Sequence, residues 1–144
     1  MILKVTGNSM WPLLKKGDFI CISKTETIVN GDIITVLNSY GKILTHRVVD
    51  EINLITKGDN HVYPEKPLYG NQYKVLGKLN SIKRDNQNIN IDSYNHLFYC
   101  FSKFEVKLYS GIKRIVRIDK IVYLIKAIIY SVFIFFFKRL SWKK

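Results

Sequence analysis

The chain has 144 residues, 47% of them hydrophobic, and a formal net charge of +12, so one domain with a real hydrophobic core is expected. Residues 1–80 carry a net charge of +3 and residues 81–144 a net charge of +9, the latter interleaved with Ile, Phe and Tyr. That placement favours a membrane-flanking segment and argues against a nucleic-acid partner.

The first six residues are too short an apolar stretch for a signal peptide and lead directly into Gly7-Asn8-Ser9-Met10-Trp11-Pro12. Pro12 fixes its own φ and pushes Trp11 towards an extended conformation, while Gly7 can take up a strained turn. Ser9 therefore sits on a stiff bend, which taken alone reads as a surface serine in a turn. Lys15-Lys16-Gly17-Asp18 feeds a strand over residues 18–23. Asn30-Gly31-Asp32 turns into a β-branched run over 33–37, and Tyr40-Gly41-Lys42 turns into another strand over 43–49. A further strand is expected over 52–56, then a Lys57-Gly58-Asp59-Asn60 loop and an irregular stretch containing Pro64 and Pro67. Residues 74–84 and 88–92 pair as a hairpin across Asp85-Asn86-Gln87. Short strands at intervals of about ten residues predict an antiparallel, β-rich domain over residues 1–92.

From Ser93 the spacing of Leu97, Phe98, Phe101, Phe104 and Leu108 predicts a helix, interrupted at Gly111. Residues 121–137 are strongly apolar apart from Lys126, at the lower edge of the length that spans a bilayer. The C-terminal segment, 93–144, is thus expected to be helical, hydrophobic and basic, and to associate with a membrane through an anchor or interfacial helix. Basic residues flank the apolar run on both sides, which leaves its orientation open.

Cys21 and Cys100 stand in no metal-type spacing, and nothing favours a disulfide between them. His46, His61 and His96 have no companion ligands at helical or knuckle spacing, so no metal or cofactor is expected. His46 shares a strand face with Leu44 and Val48, where a core histidine is the plainer reading; His61 is expected in solvent. Asp59, by itself, reads as a turn former.

Together these residues resemble a family. Gly7-Asn8-Ser9-Met10-Trp11-Pro12-Leu13-Leu14-Lys15-Lys16-Gly17-Asp18 resembles the nucleophile box of the type I signal peptidases and their relatives, the S26 and S24 serine peptidases. Asn30-Gly31-Asp32-Ile33-Ile34, Thr45-His46-Arg47-Val48-Val49, Ile55-Thr56-Lys57-Gly58-Asp59-Asn60 and Val75-Leu76-Gly77-Lys78-Leu79 resemble four further blocks of that family, in its order. The resemblance implies an antiparallel β fold of the signal-peptidase and SOS-repressor kind over about residues 4–92. It also implies a membrane-associated serine endopeptidase that cleaves leader or signal sequences from exported peptides. Where many relatives have a lysine base, this chain has His46, like the Ser-His branch found in the endoplasmic reticulum and archaea. By this resemblance Ser9 is the nucleophile, His46 the general base and Asp59 the orienting carboxylate, with Asn8 and Met10 at the substrate groove and oxyanion site. The strands around Ile20 and Leu44 are expected as edges lining that groove, to which an extended peptide or preprotein would add as a strand.

Three positions depart from the pattern. Gly7 replaces a serine that helps hold the oxyanion in many relatives, and Trp11 replaces a glutamate. Where the Ser-His branch has a second aspartate, the nearest carboxylate is Glu65, whose role stays open. The Gly7 and Glu65 departures keep one alternative in play, a non-catalytic peptide-binding module on the same fold; a self-cleaving regulator of S24 type is a further alternative, against which the apolar tail and the lack of a helix-turn-helix segment before Ser9 argue.

Overall fold

A computed structural model describes residues 1–68, 73–89 and 91–112, with isolated positions beyond them. Among these residues the fold is mainly antiparallel β: β1 (Ile2–Lys4), β2 (Phe19–Ser23), β3 (Ile33–Asn38), β4 (Ile43–Asp50), β5 (Ile55–Lys57), β6 (Tyr73–Arg84) and β7 (Gln87–Ile89), followed by α1 (Asp92–Ile112). Met1–Val106 form one compact unit and Lys107–Lys144 another. No helix among the described residues is long and apolar enough to cross a membrane. The apolar run over residues 121–137 lies, isolated positions apart, outside the described residues.

The sheet order is β1-β2-β6-β3-β4-β5, with β7 pairing β6 off this path. β2 alternates as a half-buried strand should, with Ile20 and Ile22 turned inwards. β3 begins with four consecutive buried residues, Ile33–Val36, because it is covered on both faces. Ile34, Val36, Val48 and Leu68 form a core cluster, with Leu44, Leu54 and Val75 packed against it. β6 is the longest strand and pairs with β2, β3 and β7. Gly77 lies where β6 runs beneath the end of β2, and a Cβ there would fall 2.3 Å from the Ser23 carbonyl oxygen. Only glycine admits that approach.

Several boundaries differ from those expected. The N-terminal residues form a strand, with Leu3 opposite Ile20. β2 and β4 are interior strands, not edges; the path ends at β1 and β5. β5 starts at Ile55 because Asp50 accepts hydrogen bonds from the Ile52 and Asn53 amides, turning the chain before a strand can begin. The last hairpin turns on Asp85 and Asn86 alone, whose φ values of 49° and 63° suit a two-residue turn.

α1 packs through a stripe that shares Phe98 with the apolar one expected and otherwise differs from it. Phe98 and Ser102 are buried, whereas Phe104 is 53% exposed. The stripe runs through Asn95, Phe98, Ser102 and Glu105, at helical spacing, and meets charged groups of β4, β5 and the following loop.

Candidate active site

Ser9 stands in the turn between β1 and β2. The turn is closed by hydrogen bonds from the Trp11 amide to the Asn8 carbonyl and from the Leu14 amide to the Met10 carbonyl. Gly7 needs no left-handed conformation, and there is open space where its Cβ would be. The loop after β5 holds the turn from outside. The Asn60 amide donates to the Ser9 carbonyl at 2.7 Å, and the Asn60 side-chain amide donates to the Asn8 carbonyl at 3.2 Å. Gly58 allows this, since a Cβ on it would lie 2.7 Å from the same Ser9 oxygen.

His46, in the middle of β4, is 3% exposed. Its Nε2 lies 3.0 Å from Ser9 Oγ, the separation at which an imidazole can take a hydroxyl proton. On the other side of the ring, Nδ1 lies 2.8 Å from Glu65 Oε1. That line departs from the ring N–H direction, so the atoms meet as an ion-pair contact rather than a straight hydrogen bond. Glu65 is itself fixed to β5: Thr56 Oγ1 donates to its Oε2 at 3.0 Å, and its amide donates to the Thr56 carbonyl. Burial opposes ionisation of Glu65. The close approach and charge of His46, the hydrogen bond from the Thr56 hydroxyl and the charge of His61 outweigh it and hold the carboxyl below its usual range. Glu65 is therefore a carboxylate at neutral pH, set to stabilise an imidazolium.

Asp59, the carboxylate expected to orient His46, meets Arg47. Its two carboxylate oxygens receive Arg47 Nε at 2.8 Å and Arg47 Nη2 at 2.9 Å, a two-pronged buried ion pair. Arg47 also donates to the Gly31 carbonyl and to the Asn95 side chain of α1. Asp59 thus secures the strand beside His46, while Glu65 meets the imidazole. Asn8, Met10, Ile20 and Leu44 line a cavity of about 950 Å³ that Ser9 and His46 also face. Met10 and Ile20 serve the core as well, at 3% and 2% exposure. His61 joins this cavity too, with its ring edge-on to His46 at 5.4 Å.

A hydroxyl, an imidazole and a carboxylate in line, beside a groove between strands, define a serine-hydrolase type of centre on a β scaffold. A family model described as Peptidase S24-like matches residues 1–80. The chain belongs to the S24-like peptidases, a serine-peptidase family. No curated protein matches it.

Proposed function

We propose that this protein is a serine endopeptidase of signal-peptidase type, with a Ser9–His46–Glu65 triad, that removes leader sequences from exported peptides at a membrane surface. The observation that carries the catalytic part is the line from Ser9 Oγ through His46 to Glu65, at 3.0 and 2.8 Å. His46 takes the Ser9 proton as Oγ attacks the scissile carbonyl, and later returns it to the leaving amine. Glu65 holds the charged ring between the two steps. The Ser9 backbone N–H and Asn8 are the proposed oxyanion donors, since Gly7 offers no hydroxyl. The groove lined by the Ser9 turn and by Ile43–His46 of β4 is the proposed seat of the substrate peptide. The membrane part rests on the net charge of +9 and the apolar run of residues 81–144.

The full chain should cleave a fluorogenic peptide carrying a leader sequence. Ser9→Ala and His46→Ala should each lower kcat by about 10⁴-fold or more, and Glu65→Gln by roughly 10²–10⁴-fold, with folding retained. Full activity in either of the first two variants would rule the mechanism out. The family also accommodates a self-cleaving regulator. In that case mass spectrometry would show the wild-type chain cut within itself and the Ser9→Ala chain intact.

A further inference from the structure

His46, His61 and Glu65 have no recognisable spacing along the chain, yet the fold brings them together. One ligand atom from each lies within 4.8 Å of the others. Two imidazoles and a carboxylate are a ligand set that holds zinc in enzymes, leaving the fourth position to water or a substrate oxygen. Bonds of about 2.0–2.1 Å put tetrahedral ligand atoms roughly 3.3 Å apart, so closing on an ion draws in a separation of up to 4.8 Å by as much as about 1.5 Å. His61 is exposed and can make this movement, while His46 is held in its strand. A second observation points the same way: Nδ1 of His46 is buried and lacks a well-aligned hydrogen bond, and it faces Glu65.

We propose that His46, His61 and Glu65 form a binding site for a borderline divalent transition-metal ion such as Zn²⁺, and that filling it switches off the serine centre. The choice of ion follows from the donors: imidazole suits Zn²⁺, Co²⁺ and Cu²⁺ and is a poor ligand for Mg²⁺ or Ca²⁺. The switch follows from the ring. An imidazole bound to metal through Nδ1 carries its proton on Nε2, so it can only donate to Ser9 Oγ and cannot take the hydroxyl proton. Metal binding and proton abstraction therefore exclude one another at His46. The switch rests on the peptidase reading; the metal site does not.

The test uses the full chain with Cys100→Ser. That change breaks up a second pair of soft donors among the described residues of α1, Cys100 Sγ and His96 Nδ1 at 3.8 Å. Co²⁺ titrated into this protein, and into its Ser9→Ala variant, should give one-to-one visible d–d absorption of the tetrahedral type. Zn²⁺ should displace it and Mg²⁺ should not. His61→Ala, at an exposed position, and Glu65→Ala should each weaken Zn²⁺ binding at least about 10-fold. Binding unchanged in both variants, or no tetrahedral signal, overturns the site. In the cleavage assay Zn²⁺ should inhibit and a chelator should restore the rate. In His61→Ala, half-inhibition, relative to that variant's own uninhibited rate, should need at least about 10-fold more Zn²⁺. Zn²⁺ bound at these ligands without loss of cleavage overturns the switch. If Ser9→Ala binds the ion while metal-free wild type cleaves nothing, the site stands and the peptidase reading falls, together with the switch.

Discussion

Asp59 and Glu65 lie in the same connection after β5 and serve different partners, one holding Arg47 and the other meeting His46. Ser9 and His46 were legible in the sequence because each sits inside a motif whose residue types report its chemistry. Glu65 was not, since it stands in an irregular stretch between Pro64 and Pro67 with no periodicity to say where it points. Two predictions belong at this scale. Gly7 has open space at its Cβ and no left-handed φ, so Gly7→Ser should fit and place a hydroxyl near the forming oxyanion. Its kcat should rise by roughly 10-fold with KM little changed; steady-state kinetics that show no rise would mean this position does not face the oxyanion. Gly58→Ala should do the reverse. Its methyl would meet backbone, the Ser9 carbonyl oxygen at 2.7 Å, and backbone does not swing aside as a side chain would. A loss of about 1–3 kcal/mol in denaturant unfolding is expected, along with a fall in kcat as the nucleophile shifts.

At the scale of elements, the strands were legible wherever β-branched runs met Gly or Asn turns, and their ends shifted where a side chain intervened, as Asp50 does before β5. The helix was legible as a helix, but its docking face was not. Hydrophobic periodicity selects Phe98 together with Phe101 and Phe104, whereas α1 docks through Phe98 together with Asn95, Ser102 and Glu105. Polar contacts leave no hydrophobic signature, so this face had to be seen in three dimensions. Lys57 is fully buried, and its ammonium lies 2.6 Å from Glu105 Oε2. Glu105→Ala would leave that cation without its carboxylate inside the protein, and should cost about 3–5 kcal/mol in chemical denaturation. Replacing both residues with apolar side chains of similar size should recover most of the loss. If Glu105→Ala unfolds like wild type, α1 is not anchored through this pair.

For the molecule as a whole, Asp18 and Arg84 tie the end of the Ser9 turn to the end of β6, at 2.6–2.8 Å. Burial opposes ionisation of Asp18, but hydrogen bonds from Arg84 and the Lys15 amide, with the Arg84 charge, overcome it and lower its pKa. A folded-state pKa below the unfolded one stabilises the fold above the unfolded value of about 3.9, and that contribution is lost as pH falls through the folded value. The stability gap between wild type and Asp18→Asn should therefore be constant above about pH 5 and narrow below about pH 4. A gap that does not change with pH would remove this pair from the acid response. The order of strands has a further consequence. Within the sheet, β6 alone joins the β1–β2 pair to β3, β4 and β5. Ser9 belongs to the first group and His46 to the second, and both precede β6 in the chain. Ser9, His46 and Glu65 therefore all leave the ribosome before the strand that joins their two parts of the sheet. A chain cut short before β6 should therefore lack the strand that joins these two groups, whatever contacts Asn60 makes to the Ser9 turn.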